Sequence, residues 1–122
     1  MIGYVTVGTN DMEKSAKFYD ALLGEIGAKR FMEGDRFIAW AVAPDKPSIG
    51  IIKPFDEKPA TVGNGVMIAI PCDKPETVDK LYKKAMALGA KDEGAAGPRG
   101  QGFYAGYFRD PDGNKLNFFC MT

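Results

Sequence analysis

The stretch that decides the fold is "YFRDPDGNKLNFF", residues 107–119. Its flanks read as strands and its centre as a turn. Pro111 presets φ for an early turn position, and Gly113 or Asn114 can take positive φ. The stretch is therefore a tight hairpin, and Asp110 and Asp112 are turn formers before they are ligands. The returning strand carries one uncharged polar residue, Asn117, between Leu116 and Phe118. The role of Asn117 depends on what the rest of the chain places around it.

Working outward, the hairpin turns out to be written twice. Residues 36–52, "RFIAWAVAPDKPSIGII", lie against residues 102–119, with Pro44-Asp45 on Pro111-Asp112. In this alignment Phe37 falls on Tyr104, Trp40 on Tyr107 and Gly50 on Asn117. The upstream segments match as well. "IGYVTVGT" (2–9) alternates and is rich in β-branched residues, so it reads as a strand. Met12, Ala16, Tyr19, Leu22, Leu23 and Ile26 then recur at helical spacing. Asn10 followed by Glu13 resembles a capping box. In residues 65–91 a strand again precedes a helix, with Asp73 and Glu76 in the capping positions and Val78, Leu81, Tyr82, Ala85 and Leu88 as the apolar stripe. Both helices run into "GAK", at 27–29 and 89–91, where glycine suits a helix C-terminus.

Each copy thus reads strand, helix, then three strands. In the first copy the three are expected near 28–32, 36–42 and 48–53. In the second they are a short strand near 91–93, then 103–109 and 115–120. "KPFDEKPATVGNG" (53–65) reads as a linker and "DEGAAGPRGQG" (92–102) as a loop. Neither copy can bury a sheet face alone, so one α+β domain over 1–122 is expected, with modules at 1–57 and 58–122.

Composition narrows the function. The chain has 122 residues, 45% hydrophobic, with 16 basic and 16 acidic residues. A neutral chain has no electrostatic footprint for nucleic acid or an anionic membrane. No apolar run approaches the roughly 18 residues of a membrane span. "MIGYVTVGTND" has no basic n-region. Cys72 and Cys120 read as reduced thiols. A cytoplasmic protein is the expectation. There is no histidine. That removes the commonest metal ligand and the usual neutral-pH base, and it excludes Ser-His-Asp and Cys-His arrangements.

A doubled βαβββ chain with "FYDALL" in its first helix and "GYFRDPDGNKLNFF" at its end resembles the glyoxalase / bleomycin-resistance / extradiol-dioxygenase group, the vicinal oxygen chelate superfamily. The resemblance covers essentially the whole chain. It implies two tandem modules forming a curled mixed sheet around a cleft, and a homodimer. In metal-using members, inward positions on the first and last strand of each module hold a divalent cation. Carried over, those positions are Tyr4, Gly50, Met67 and Asn117. Histidine or glutamate is usual there, and this chain has a phenol, no side chain, a thioether and an amide. A one-residue register slip does not restore a ligand, because Gly3, Val5, Ile49, Ile51, Val66, Ile68, Leu116 and Phe118 are no better. No acidic residue falls in the interior of an expected strand. Oxygen-seeking cations need carboxylates, and Zn²⁺ or Ni²⁺ needs imidazole, thiolate or carboxylate. No metal and no cofactor are therefore expected, and metal-dependent glyoxalase or dioxygenase chemistry is disfavoured.

Aromatic content points to binding instead. Trp40, Tyr104 and Tyr107, with Phe37 and Phe103, lie on the middle strands, and Phe118 and Phe119 must lie on opposite faces of the last one. With Tyr4, Gly50, Met67 and Asn117, and with Arg99 in "GPRGQG" as a charged contact, they sketch a pocket for an aromatic or planar small molecule. Core packing is the competing reading for each aromatic. Cys72, just before a helix, is either a stabilised thiolate or a small buried hydrophobe. Three functions stay open: a metal-independent small-molecule binder, an enzyme of the glyoxalase or dioxygenase kind with atypical ligands, and an interaction module with a vestigial cleft.

Overall fold

The computed structural model describes all 122 residues. It holds two compact units, Met1–Val62 and Gly63–Thr122. Unit 1 runs β1 (Tyr4–Gly8), α1 (Met12–Gly24), β2 (Lys29–Glu33), β3 (Phe37–Ala41) and β4 (Ser48–Ile52). Unit 2 runs β5 (Ile68–Pro71), α2 (Pro75–Ala87), β6 (Lys91–Pro98), β7 (Phe103–Arg109) and β8 (Lys115–Met121). Each unit is a four-stranded mixed sheet of one plan, ordered β1-β4-β3-β2 and β5-β8-β7-β6. The first strand pairs with the last in parallel, and the remaining pairs are antiparallel. The two tandem βαβββ modules read from the sequence are present.

In each unit one face of the sheet is covered by the helix of that unit. On α1, Ala16, Tyr19, Leu22 and Leu23 are buried. They recur at three and four residues, so one stripe faces the sheet. Val7, Ile38, Trp40 and Ile51 answer from the strands. On α2 the buried stripe is Val78, Leu81 and Ala85, against Ile70, Phe108, Leu116 and Phe118. Each large side chain so buried contributes roughly 1.5–3 kcal/mol. Gly27 and Gly89, just past the two helices, both have positive φ, at 82° and 92°.

The helix starts differ from the expected capping boxes. Asp11, not Asn10, caps α1: its Oδ1 accepts from the Lys14 N–H at 3.0 Å. Asn10 instead exchanges two hydrogen bonds with the Ala60 backbone. At α2 the N-cap is Lys74, without a side-chain cap bond, and Pro75 opens the helix. Proline suits that position because its missing N–H would have had no partner there. Asp73 accepts from the Thr77 hydroxyl at 3.2 Å.

The largest departure is β6. Residues 91–98 form a strand paired with β7, where a short strand and a loop were expected. The pairing contains two register shifts. Its Gly and Ala content hides it, because such residues are poor strand formers and only β7 selects the conformation. Asp92 and Glu93 consequently lie inside a strand, contrary to the expectation for acidic residues.

The "DPDGN" turn is held by its own first residue. Asp110 is buried, and its Oδ1 accepts from the N–H groups of Asp112 and Asn114, both at 2.9 Å. Its Oδ2 accepts from the Asn114 amide at 3.0 Å. Gly113 has φ 92°. The turn-forming reading of Asp110 is therefore the structural one.

Candidate functional site

Strand alternation sorts every expected site residue onto one of two faces. In unit 1, Gly50 pairs with Thr6 on one side and Ala39 on the other. In unit 2, Asn117 pairs with Ala69 and Tyr107. Gly50 and Asn117 are thus structurally equivalent, as the repeat alignment had them. Tyr4 begins β1 opposite Ser48, and Met67 immediately precedes β5. Both are exposed.

The middle strands are where the alignment slips by one residue. The residue answering Tyr107 is Ala39, not Trp40. A single-residue slip turns a side chain to the other face. Trp40 therefore faces α1. It is buried, its ring lies 5.5 Å from that of Tyr19, and its Nε1–H donates to Asp20 Oδ1 at 2.8 Å. Tyr104 likewise faces α2, donating its hydroxyl to Asp79 at 2.6 Å. That bond raises the Tyr104 pKa above the usual phenol value. Trp40 and Tyr104 are not on the open face. Tyr104 and Tyr107 are three apart in a strand, so they could not both have been.

On the open face of unit 1 lies a cavity of about 570 Å³. Tyr4, Thr6, Phe31, Met32, Phe37 and Ala39 contribute to its walls. Phe31 and Met32 come from β2, whose residues are all exposed. The Phe37 ring lies directly over Gly50. A Cβ built on Gly50 would stand 2.5 Å from Phe37 Cε1 and 2.9 Å from Cζ. Tyr4 meets the same ring edge-on, with centroids 6.5 Å apart. The position that would carry a carboxylate in a metal-binding relative is thus filled by an aromatic ring from the neighbouring strand. Thr6, Phe31 and Met32 were missing from the expected site, and Phe37 was read only as one of the middle-strand aromatics. Alternation gives Thr6 and Phe37, each an even number of pairing steps from Gly50, whereas Phe31 and Met32 lie at a register shift in β2 that the sequence does not reveal.

The open face of unit 2 is polar. Tyr107 lies beneath two cations, with Arg99 Cζ 5.4 Å and Lys115 Nζ 5.5 Å from its ring centroid. Arg99 is held by backbone carbonyls, donating to Ala95 O at 2.6 Å and Gly97 O at 2.9 Å. Glu93 accepts from Arg109 at 2.7 Å, and that bond holds its carboxyl below the usual range. Asn117 is 1% exposed, and its Oδ1 has no hydrogen-bond partner. Phe119 stacks on Phe103 on this face, while Phe118 stacks on Phe108 on the helix side.

The donor set does not fit a divalent cation. Unit 1 offers the Tyr4 phenol and no side chain at Gly50, and unit 2 offers the Met67 thioether and the Asn117 amide. Within neither unit do three Cys, Asp or Glu side chains gather as ligands. Cys72 does not change this. It is half-buried, and burial pushes its thiol up to about 11, which disfavours the thiolate. Cys120 is buried, and burial also raises its pKa.

Fold and sequence now define the class. Residues 1–118 match the glyoxalase/bleomycin resistance protein/dioxygenase superfamily, and the chain belongs to it. A glyoxalase/bleomycin resistance protein from Albidiferax ferrireducens T118 is 36% identical, with a TM-score of 0.91 over 100% of this chain and 99% of that one. Two more distant structures share the fold. One is a glyoxalase/bleomycin resistance protein/dioxygenase family enzyme from Burkholderia phytofirmans PsJN, at 20% identity and TM-score 0.79 over 98% of each chain. The other is a lactoylglutathione lyase from Agrobacterium tumefaciens, at 17% identity and TM-score 0.74 over 98% of this chain and 92% of that one. No curated protein matches the chain significantly. No helix is long and apolar enough to cross a membrane.

Proposed function

We propose that this chain is a metal-independent small-molecule-binding member of its superfamily, working as a cytoplasmic homodimer, whose open sheet faces take an aromatic or planar ligand. The observation that carries this reading is the Phe37 ring seated over Gly50, where a ligand carboxylate would otherwise stand. That ring lines an apolar pocket and supplies no donor atom to a divalent ion. The cavity of about 570 Å³ has the size and apolar lining of a small-molecule site. Tyr4 is a proposed contact of that cavity, beside Gly50; on the separate open face of unit 2 the proposed contacts are Met67, Arg99, Tyr107 and Asn117. Lyase or dioxygenase chemistry of the kind named for the relatives needs a Lewis acid, and this donor set supplies no seat for one.

The test is a thermal-shift screen of chelator-treated protein against planar and aromatic compounds. A ligand that binds the folded state raises the melting temperature. A rise with at least one compound, retained in chelator, is the expected result. Silence across a broad library favours a vestigial face. One stoichiometric divalent ion per purified chain sinks the metal-independent reading.

A further inference from the structure

We propose that the open face of unit 2 recognises the carboxylate of an aromatic acid, with Arg99 and Lys115 as its anchors beside Tyr107. This rests on the reading of the open faces as a binding site and names the ligand class.

Three observations carry it. First, two cations from different segments converge on one ring, at 5.4 Å and 5.5 Å from the Tyr107 centroid. Two cations over one ring make its surroundings electropositive, which favours binding of an anion there. The acid that Lys115 and Arg109 both act on is Glu93, and its carboxylate is already bonded to Arg109. Glu93 is thus engaged by Arg109, while the printed partners of Arg99 are backbone carbonyls.

Second, Arg99 is preset. Its guanidinium is fixed by the carbonyls of Ala95 and Gly97. Gly94 makes room for it: a Cβ there would stand 3.3 Å from both Arg99 Nη2 and Tyr107 Cδ1. A planar guanidinium on an aromatic ring suits a planar carboxylate, which it can meet with a fork of N–H groups. The edge of the Tyr107 ring offers the rest of the ligand an aromatic contact.

Third, Asn117 Oδ1 is buried, unpartnered and on a side chain directly across from Tyr107. A buried acceptor without a donor is unfavourable. A ligand hydroxyl or N–H reaching this oxygen satisfies it, so a hydroxylated aromatic acid fits better than the bare acid.

The probes are benzoate, 3-hydroxybenzoate, the neutral isostere benzamide and inorganic phosphate, titrated into the full chain by calorimetry at fixed ionic strength. Benzoate should bind about tenfold more tightly than benzamide, the effect of one charge-assisted contact of ~1.4 kcal/mol. Arg99→Gln and Lys115→Gln should each erase that preference, lowering benzoate affinity about tenfold and benzamide affinity by much less. The preference for 3-hydroxybenzoate over benzoate should vanish in Asn117→Leu. Equal binding of benzoate and benzamide, unaffected by either glutamine variant, overturns the anion site and leaves the planar-ligand reading standing. Phosphate binding as tightly as benzoate overturns the aromatic-acid assignment. Silence from all four probes and from every planar compound removes both readings together.

Discussion

Unit 1 places Ala39 opposite Gly50, and unit 2 places Tyr107 opposite Asn117. The backbone plan and pairing are the same, yet the two open faces have opposite chemistry. In unit 1 a missing side chain lets the Phe37 ring lie flat on the sheet, and the face becomes an apolar cavity. In unit 2 a large ring on the middle strand collects Arg99 and Lys115, and the face becomes cationic. The helix faces show no such divergence, since Trp40 and Phe108 occupy equivalent positions and both are buried. The difference teaches that packing constrains one face of each repeat and leaves the other free to diverge.

The comparison can be broken most forcefully at its shared core. Trp40→Ala and Phe108→Ala should each cost about 3–5 kcal/mol, read from urea unfolding, because both leave cavities under a helix. Tyr107→Ala, one residue from Phe108 but on the other face, should cost clearly less. Equal costs would mean that the two faces are not distinguished as described.

Gly50→Glu is the next largest change. It restores the charge that relatives use but must displace the Phe37 ring. Overpacking of this kind costs about 1–3 kcal/mol. No gain in divalent-ion binding should accompany it, because the neighbouring Tyr4 phenol remains a poor partner. A stable variant that gains an ion would show that the ring gives way easily.

Asn117→Leu should be close to neutral or slightly stabilising in the same unfolding assay. Removing an unsatisfied buried oxygen while keeping the shape offsets the lost amide contacts. A loss above about 2 kcal/mol would mean that the amide holds a structural partner and does not face a ligand.

A small, pH-dependent effect is expected at Asp20. The hydrogen bonds from Arg30, at 2.8 Å and 3.0 Å, are the main cause that holds its carboxyl below the usual range. A lowered folded pKa means that the ionised form is favoured by folding. The stabilisation is therefore present above about pH 4, the range of an unfolded aspartate, and is lost as pH falls through the lower folded value. The pair is partly exposed, so screening limits it to about 1 kcal/mol or less. Asp20→Asn should flatten the acid limb of a stability–pH profile by that amount. An unchanged limb would show that Arg30 does no more than decorate the surface.

Much of this was legible in the residues. The matching "GAK" helix ends and the two Pro-Asp turns announce a repeat, and the repeat places Gly50 on Asn117. Trp40 was lost because the alignment matched aromatic to aromatic, whereas alternation demands that Ala39 answer Tyr107. Strand β6 was hidden because "DEGAAGP" has no intrinsic strand preference and is ordered by pairing. Lys115 gave no signal at all. Its place beside Tyr107 arises from the cross-strand diagonal between β7 and β8, which only the register reveals.

The central claim is that the family's cation position has become the wall of a small-molecule pocket. It is tested most directly by calorimetric titration of chelator-stripped protein with Ni²⁺, Zn²⁺ and Mn²⁺. The account predicts no saturable one-per-chain binding of any of the three. Tight binding of one ion per chain, lost in a Tyr4→Phe or Asn117→Leu variant, would contradict it.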